Sequence, residues 1–317
     1  MKILITGVHG FVGSNLVEAL KQNYIIYGLD IISPIKDGVR FTFSWDFLDK
    51  SNEIPDVDAI IHLAGKAHDT KNQAAADVYF KVNTDLTKKV FDYFLAHESI
   101  KKFVFFSTAK AAADKVDGIL TEDVVPSPVG PYGESKIAAE RDILDKLTDD
   151  SLPLTGKQVY IFRPCMIHGP GNKGNLNLLY NVVRKGIPWP LGAFENRRTF
   201  TSIENICFAV NGVLTKDVPS GIYNMGDDEA LSTNELIEEI CKSIGKKAHI
   251  WKLPKGLMNG VAKVGGWLHL PLNPERLRKL TENYISSNEK IKKALGIEKM
   301  PIDAKTGLKT TLESFRK

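Results

Sequence analysis

The sequence predicts an α/β fold, a doubly wound parallel sheet followed by a smaller, mostly helical C-terminal domain. First, short apolar runs rich in β-branched residues alternate with helix-periodic segments up to about residue 168, as in parallel strands joined by crossover helices. Second, the opening strand turns into a helix through three glycines. Third, helical segments replace the strands from Gly169 onward. We therefore predict one domain at 1–168, with a segment near 199–226 returning to its sheet, and a second domain at 169–317.

The glycine turn consists of Gly7, Gly10 and Gly13, at three-residue spacing. A strand that reverses into a helix within a few residues needs glycine for the turn, for the close approach of a ligand and for helix packing. The free N–H groups and the positive end of the helix dipole then favour a pyrophosphate. Glycine turns also serve plain packing, so this turn alone leaves both interpretations open.

The second strand decides between them. Tyr24 to Leu29 is another apolar run, and it ends in Asp30, at the spacing expected for the acid that hydrogen-bonds an adenosine ribose. Strand, glycine turn, helix, strand and acid in this order predict a dinucleotide-binding Rossmann domain. Because a carboxylate here repels a 2′-phosphate, we expect NAD rather than NADP as the cofactor.

The remaining elements follow from helical and strand periodicity. Strands are expected at 2–6, 24–29, 40–44, 58–64, 101–106, 158–162 and 221–224. Helices are expected at 14–20, 72–97, 132–147, 176–185, 203–215, 232–244, 254–268, 274–282 and 287–295. Ligands of such sheets bind beyond the carboxyl ends of the strands. The residues at those ends should therefore line one crevice: Gly7, Asp30, Gly65, Thr108 and Pro164.

Charge and cysteine content narrow the class of protein. The chain has 317 residues and a formal charge of +4, a mild excess that we interpret as spread along the sequence without a basic run. This disfavours nucleic-acid binding and favours an anionic small substrate. Three widely spaced cysteines, Cys165, Cys207 and Cys241, fit reduced thiols in the cytoplasm better than a disulfide framework or a metal site.

Two features bear on membranes. The chain enters its first strand at once, which predicts no signal peptide. The stretch from Gly256 to Leu272 is fairly apolar, yet Asn259, Lys263 and His269 interrupt it, and it is too short to span a bilayer. We interpret this stretch as a packed helix or a pocket wall, with a role at the membrane surface as the alternative.

A candidate catalytic pair opens the helix at 132–147. Tyr132 and Lys136 are four residues apart, so both side chains lie on one face of the helix. A free tyrosine has a pKa near ~10, and a close cation favours the phenolate and lowers that pKa. The two side chains could also share a surface face without a function. The dinucleotide fold upstream and the hydroxyl of Thr108 at a strand end favour catalysis.

These motifs together resemble a known family. TGVHGFVG, HLAG, VN, ST, PYGESK, RPCMIHGPG and NRRTFTSIENI occur in this order, and the chain is similar over essentially its whole length to the extended short-chain dehydrogenase/reductases that act on nucleotide sugars. The resemblance implies that Tyr132 is the acid or base at a sugar hydroxyl and that Lys136 holds the cofactor ribose and tunes Tyr132. Thr108 would hydrogen-bond the same sugar oxygen.

The resemblance also implies the binding residues. The pyrophosphate would lie against Gly7, His9, Gly10, Phe11, Val12 and Gly13, the ribose against Asp30, and the adenine against Asp46 and Phe47. The central crevice would be lined by Leu63, Ala64, Gly65, Asn83 and Pro164. Arg198 would bind the diphosphate of the substrate, where a guanidinium forms bidentate contacts. Asn175 and Arg276 are further candidate substrate contacts, with Arg278 as the alternative to Arg276.

Departures from the family pattern reduce the number of reactions that the chain could catalyse. Members that eliminate water carry Asp-Glu after the threonine, whereas Ala109 and Lys110 stand there in this chain, so a 4,6-dehydratase is not expected. Met166 replaces a common asparagine. We predict a UDP-hexose or N-acetylhexosamine 4-epimerase that works through a 4-keto intermediate in surface polysaccharide precursor synthesis. An NAD(P)H-dependent reductase of a nucleotide 4-keto-6-deoxy sugar is the alternative.

A third class, a non-catalytic dinucleotide sensor, is disfavoured because the tyrosine, the lysine and Thr108 are all present. The resemblance further implies a homodimer formed through two helices.

Overall fold

Within the described residues, seven parallel strands form the central sheet. The computed structural model describes residues 1–49, 55–66, 75–172, 174–268 and 272–316. The strands are β1 (Lys2–Thr6), β2 (Ile25–Leu29), β3 (Val39–Phe43), β4 (Ala59–His62), β5 (Lys102–Phe106), β6 (Ile119–Leu120), β7 (Gln158–Pro164), β8 (Met166–His168), β9 (Phe200–Ser202), β10 (Gly221–Met225) and β11 (Ile285–Ser286).

The helices alternate with these strands along the first two thirds of the chain and dominate the last third. They are α1 (Phe11–Leu20), α2 (Ala76–Phe80), α3 (Leu86–Ala96), α4 (Ala109–Ala112), α5 (Pro131–Leu147), α6 (Asn175–Arg184), α7 (Ile203–Thr215), α8 (Thr233–Ser243), α9 (Lys255–Trp267), α10 (Pro274–Thr281), α11 (Glu289–Leu295) and α12 (Ala304–Ser314). A π-helical turn, Lys81–Asp85, joins α2 to α3. A short 3₁₀ helix, Trp45–Asp49, follows β3.

The strand order is β10-β7-β5-β4-β1-β2-β3, which confirms the predicted doubly wound parallel sheet. The chain winds outward from β1 in both directions, so the order reverses between β1 and β4. Thr6 on β1 is in register with His62 on one side and with Leu29 on the other. In this topology the crevice beyond the carboxyl ends of β1 and β4 is where a ligand binds.

Alternate residues of each strand face opposite layers of helices. Ile3 and Ile5 pack in one buried cluster with α1, α7 and α11. Leu4, between them, packs in a second cluster with α3 and α5. Both faces of the sheet are therefore covered, which explains why its strands are continuous apolar runs rather than alternating ones.

Two later segments return to the sheet. β10 pairs with β7 at its edge, and α11 packs Ile291 and Leu295 against α7 and the sheet. A third buried cluster joins α6, α8 and α12, and a fourth joins α9 to α10. The domain boundary at residue 168 stays a prediction.

The structure corrects some predicted elements. The helix predicted at 72–97 contains the π-helical turn, and its residues 72–74 lie outside the described residues. Helix α12 was not predicted, because Gly307 and several threonines weaken its helical signal. The pairs β6 with β11 and β8 with β9 were also missed, since they are only two and three residues long. No described helix has the length and apolar content needed to cross a membrane.

Candidate active site

A glycine turn joins β1 to α1 at the carboxyl edge of the sheet. Gly7 has a φ of 68°, in the left-handed region that favours glycine, and its N–H donates to Leu29 O at 2.8 Å. Gly13 lies against the turn, since a Cβ there would be 2.4 Å from Gly7 O. No side chain caps α1, so its first N–H groups are available to an anion that binds over the turn.

The carboxylate of Asp30 lies beside this turn, at the end of β2. Its Oδ2 accepts from the His9 N–H at 2.9 Å, and its Oδ1 accepts from the Ile31 N–H at 2.7 Å. The His9 ring also contacts the Thr42 hydroxyl at 3.3 Å. The glycine turn and the acid predicted to bind the ribose are therefore direct neighbours.

The two residues predicted at the adenine lie together in the 3₁₀ helix after β3. Asp46 is exposed, whereas Phe47 is buried, with its ring centroid 4.3 Å from that of Phe43. Phe47 thus anchors the turn to the core, and Asp46 presents a carboxylate at the surface. His9, Gly10, Phe11 and Val12 form the end of the glycine turn and the start of α1. These residues fit NAD, because bare backbone, a helix N-terminus and a carboxylate adjoin one another.

The loop after β4 forms the other side of the crevice. The Thr6 hydroxyl accepts from the N–H groups of Leu63 and Ala64, at 3.2 and 3.0 Å. The Asn83 amide holds the next part of the loop: its Oδ1 accepts from the Lys66 N–H at 2.7 Å, and its Nδ2 donates to Lys66 O at 3.1 Å. Asn83 is buried, so it positions the loop.

The same asparagine joins the loop to the catalytic helix. Asn83 Nδ2 also donates to the Ser135 hydroxyl at 3.0 Å. A Cβ on Gly65 would lie 2.9 Å from Asn83 Oδ1 and 3.1 Å from Lys136 Nζ. Gly65, Asn83 and Lys136 therefore meet at one point of the crevice.

His62 is buried beneath this loop as a neutral ring. The Thr6 hydroxyl already accepts two N–H groups, so its own proton is donated to His62 Nδ1 at 2.7 Å. The Thr87 hydroxyl donates to Asn83 O at 2.7 Å and accepts from His62 Nε2 at 2.9 Å. Burial, together with the charge of Lys136, lowers the pKa of His62 to about 3. His62 thus joins Thr6 of β1 to Thr87 in the first turn of α3 without carrying charge.

The three predicted catalytic residues lie together at the ends of β5 and the start of α5. Thr108 is buried, caps α4 and hydrogen-bonds to the Tyr132 phenol. The ammonium of Lys136 is buried and donates to Phe106 O at 2.8 Å. Pro164, which ends the neighbouring strand β7, is also buried.

Burial dominates the proton equilibria of this group. It raises the pKa of Tyr132, and the hydrogen bond from Thr108 offsets only part of this rise. The expectation of a lowered tyrosine pKa is therefore wrong for the chain alone. Burial also lowers the pKa of Lys136 to about 8, against an upward effect of the Glu140 carboxylate. Additional positive charge is needed to form the phenolate near neutral pH.

Arg198 lies in a group of charged residues that also contains Arg278 and Glu282. Its Nη1 donates to Lys279 O at 2.9 Å, and burial lowers its pKa while Glu282 raises it. Beside it, Arg278 pairs with Glu282 at 2.7 Å and with Asp114 at 3.4 Å. Arg278 is thus paired with two carboxylates, and its role as the alternative to Arg276 stays a prediction.

The remaining predicted substrate residues are at the surface. Asn175 is exposed at the first position of α6, and Arg276 is exposed on α10. Their roles in binding stay predictions. The cysteines are free thiols, and burial raises the pKa of both Cys165 and Cys207 to about 12, so neither is activated as a nucleophile. Among the described residues, no group of His, Cys, Asp or Glu side chains could hold a metal ion.

Comparison with known proteins identifies the family. The model of the NAD dependent epimerase/dehydratase family matches residues 3–226. The UDP-glucose 4-epimerase of Vibrio cholerae is 32% identical over 273 residues, which cover 80% of this chain and 78% of that protein. The chain belongs to the NAD-dependent epimerase/dehydratase family. It is accordingly an enzyme, and its cofactor is NAD.

Other members of the family extend the comparison. An N-acetyl-α-D-glucosaminyl-diphospho-ditrans,octacis-undecaprenol 4-epimerase of Escherichia coli O157:H7 is 27% identical, over 92% of this chain and 84% of that protein. The solved structure of a UDP-glucuronic acid 4-epimerase from Bacillus cereus with NAD has a TM-score of 0.75 at 22% identity, and the match covers 100% of this chain and 99% of that one. This second likeness is one of fold.

In this member of the family, neither of the two residues that follow Thr108 carries a carboxylate. Ala109 is buried at the start of α4. The ammonium of Lys110 pairs with Asp114 Oδ1 at 2.9 Å and lies 4.7 Å from the centroid of the Tyr284 ring. The position that holds an acid or base in dehydratases is thus occupied by an apolar side chain and a cation.

A buried ion pair that was not predicted from the sequence lies below the catalytic helix. Arg163 Nε donates to Glu140 Oε2 at 3.0 Å, and the Ser107 hydroxyl donates to the same carboxylate. Arg163 and Glu140 are both buried. Glu140 is four residues after Lys136, on the same face of α5 as Tyr132, and this spacing is the signal that could have found it.

Proposed function

We propose that this enzyme is a UDP-hexose or UDP-N-acetylhexosamine 4-epimerase that acts through a 4-keto sugar. The observation that carries the proposal is the grouping of Thr108, Tyr132 and Lys136 next to Ala109 and Lys110, which offers acid–base chemistry at a hydroxyl but no carboxylate for elimination. The two 4-epimerase relatives support it. We place the reaction in the synthesis of surface polysaccharide precursors.

Held by the glycine turn, Asp30 and Lys136, NAD would supply the acceptor for the hydride of the sugar carbon C4 and would give it back on the other face of the 4-keto sugar, which inverts C4. The residues of this chain manage the accompanying proton. Tyr132 removes the proton of the C4 hydroxyl and later returns one to the 4-keto oxygen. Thr108 hydrogen-bonds both the phenol and the same sugar oxygen, so it aligns acceptor and donor.

Lys136 contributes charge at this centre. Its ammonium donates to Phe106 O, and the Glu140 carboxylate stabilises the charged form. The helix therefore carries its cation at a defined position. We propose that this cation holds the cofactor ribose and lowers the barrier to forming the Tyr132 phenolate. The positive charge of oxidised NAD would favour the phenolate in the same way.

Binding of the two nucleotides is divided between the ends of the crevice. The glycine turn and Asp30 hold the cofactor pyrophosphate and ribose, while Asp46 contacts the adenine. Leu63, Ala64 and Gly65, fixed by Thr6 and Asn83, form the central wall. Arg198 binds the substrate diphosphate, and Asn175 and Arg276 are proposed as weaker contributors from the surface.

We also propose a cytoplasmic homodimer. The free thiols support a reducing compartment. The dimer is expected to form through two helices of each chain, and sedimentation velocity at micromolar concentration measures it. A monomer under those conditions would contradict the dimer without affecting the proposed reaction.

The experiment that tests the reaction uses the enzyme as purified. The protein is denatured and any released cofactor identified. Fresh enzyme is then incubated with UDP-glucose, UDP-galactose and their N-acetyl forms, without added nucleotide. Interconversion of C4 epimers with retained NAD is the expected result.

The other outcome points to the reductase. An empty cofactor site and no epimerisation of any of the four sugars would overturn the epimerase proposal. The next substrate is then a nucleotide 4-keto-6-deoxy sugar with NADH or NADPH. Consumption of the reduced cofactor with that sugar would establish the alternative reaction.

A further inference from the structure

Helix α9 exposes an apolar stripe along its length. Leu257, Val261, Val264 and Leu268 follow one another at spacings of four, three and four residues, so they lie on one face. Their exposed fractions are 55%, 46%, 54% and 52%. The adjacent face of the helix is the packed one, where Met258 and Ala262 lie against Leu191 and Leu277. The helix therefore needs only one of its two apolar faces for the fold.

Two exposed tryptophans adjoin this stripe in the chain. Trp267, in the last turn of α9, is 80% exposed, and Trp251, four residues before the helix, is 54% exposed. Most exposed apolar side chains on a protein are small or scattered, whereas a contiguous patch marks an interaction site. Tryptophan is the side chain that prefers the boundary between hydrocarbon and water.

Positive charge is concentrated in the same segment. Residues 246–281 contain eight lysines and arginines and one acid, Glu275, while the rest of the chain contains 34 basic and 37 acidic residues. Contrary to the expectation of a charge spread along the sequence, the positive excess therefore lies in this segment. Lys252, Lys255 and Lys263 are exposed.

The basic helix α10 is packed directly against α9. A Cβ on Gly266 would lie 3.1 Å from Pro274 Cδ, and Leu277 is buried in the cluster with Met258 and Ala262. On this helix Lys279 is paired with Glu275 at 2.8 Å, and Arg278 is paired with Glu282 and Asp114, so two of its three positive charges are compensated. The positive charge beside α9 is therefore carried mainly by the exposed Lys252, Lys255 and Lys263. The apolar stripe thus adjoins a surface with a clear excess of positive charge.

We propose that α9 and the basic surface around it, defined by Trp251, Lys252, Lys255, Lys263 and Trp267, bind an anionic phospholipid bilayer. A helix with an apolar stripe, tryptophan and a basic flank lies in the plane of the membrane interface. Its lysines then meet the anionic headgroups while Leu257, Val261, Val264 and Leu268 enter the acyl boundary. This inference goes beyond the proposed reaction and does not depend on it.

Charge argues against the two other occupants of such a face. A second copy of this chain docked by a two-fold axis would bring the same positive surfaces together, which is unfavourable. A nucleic acid would engage the lysines but leave the apolar stripe in water. A bilayer with anionic lipid satisfies both the apolar and the charged parts of the surface.

The test is flotation of the full-length protein with vesicles. Vesicles of phosphatidylethanolamine with 30% phosphatidylglycerol are compared with pure phosphatidylcholine vesicles, at low and at high salt. We expect binding to the anionic vesicles, weakened by salt. The double variant Lys255→Glu/Lys263→Glu should bind at least about 30-fold more weakly. The matched control Lys305→Glu/Lys309→Glu, on exposed positions of α12, should bind as the wild type does.

The apolar stripe is tested separately. Leu257→Ser/Val264→Ser should reduce the partition coefficient at least about tenfold, and its thermal melt should match that of the wild type because both side chains are exposed. In the wild type, brominated lipid should quench the fluorescence of Trp267, with Trp267→Phe as the control.

Several results would overturn the inference. They are no flotation of the wild type with anionic vesicles, binding that the lysine and the stripe variants leave unchanged, and loss of a dimer in the Leu257→Ser/Val264→Ser variant without any vesicle binding by the wild type. Binding of the wild type to DNA in place of vesicles would likewise overturn it. None of these measurements requires turnover, so they stand apart from the test of the epimerase.

Discussion

At the scale of single residues, the site is organised by burial rather than by exposed charge. Tyr132 has a raised pKa because it is desolvated, and Lys136 has a lowered one for the same reason. The protein interior therefore keeps Tyr132 in its neutral form, whereas Lys136, with a pKa of about 8, stays mostly charged at neutral pH. A proton at the sugar hydroxyl can then be moved with small changes in the local field.

Replacing Tyr132 by Phe removes the proton acceptor and leaves the ring in place. We expect kcat to fall by about 10²–10⁴-fold, the range of general acid–base catalysis, while NAD binding measured by calorimetry stays as in the wild type. Tyr93→Phe on α3, whose ring stacks on His97, is the matched control and should keep full activity. A fully active Tyr132→Phe variant would contradict the assigned role.

The lowered pKa of Lys136 predicts a pH dependence. The charged ammonium is the working form, so kcat/KM should fall as the pH rises through about 8. The Glu140 carboxylate raises this pKa, and Glu140→Gln should therefore move the fall to lower pH. The control Asp145→Asn, at an exposed position of the same helix, should not move it.

The same substitution should also reduce stability. Glu140→Gln leaves the Arg163 guanidinium buried without its carboxylate, and breaking a buried pair costs about 3–5 kcal/mol of unfolding free energy. Urea unfolding measures this loss. If kcat/KM falls at the same pH in a folded Glu140→Gln variant as in the wild type, the coupling between Glu140 and Lys136 is contradicted.

At the scale of elements, the glycine turn sets how closely α1 approaches β1. Gly13 is packed onto the turn, with the position of its missing Cβ 2.4 Å from Gly7 O and 2.9 Å from Val8 C. The closeness places the N-terminus of α1 next to Asp30, which is hydrogen-bonded to His9. Packing and cofactor binding therefore depend on the same glycine.

Gly13→Ala should separate α1 from the turn. We expect a loss of about 1–3 kcal/mol of unfolding free energy from overpacking, together with weaker NAD binding in calorimetry. Gly260→Ala in α9, where a Cβ would meet nothing within 4 Å, is the control and should gain about 0.5–1 kcal/mol from helix propensity. Equal effects of the two substitutions would contradict the argument from close packing.

At the scale of the whole molecule, the two ends of the chain share one core. Leu295 of α11 lies against α7, since a Cβ on Gly212 would be 2.5 Å from its Cδ2. α7 in turn is fixed to the N-terminal half by the hydrogen bond from Tyr24 to Asn211, at 2.7 Å. In the C-terminal half, buried His168 bonds to Thr311 of α12 at 2.9 Å. The sheet and the C-terminal helices should thus unfold together.

Differential scanning calorimetry with and without NAD tests whether the sheet and the C-terminal helices unfold together. We expect a single unfolding transition, and NAD at a hundred times its Kd should raise the unfolding free energy by about 2.7 kcal/mol, which is about 4 °C for a chain of this size. NADP should raise it less, because Asp30 repels a 2′-phosphate. Two transitions, with only one shifted by NAD, would contradict the shared core.

The sequence by itself determined the features with local signals. The strands are apolar runs, the glycine turn and Asp30 lie within thirty residues, and Tyr132 and Lys136 are one helical turn apart. The family motifs marked the rest of the candidate site. Each of these signals lies within a short stretch of chain, so periodicity and spacing could reveal it.

Only the tertiary structure decided which distant residues meet. Glu140 accepts hydrogen bonds from Arg163 and Ser107. Asn83 joins Lys66 to Ser135. Arg198 lies near Glu282. These contacts depend on the order of the strands and the packing of helices across them. The predicted direction of the Tyr132 pKa shift was wrong for the same reason. Desolvation raises this pKa, and desolvation depends on the packed interior, which spacing along the chain does not report.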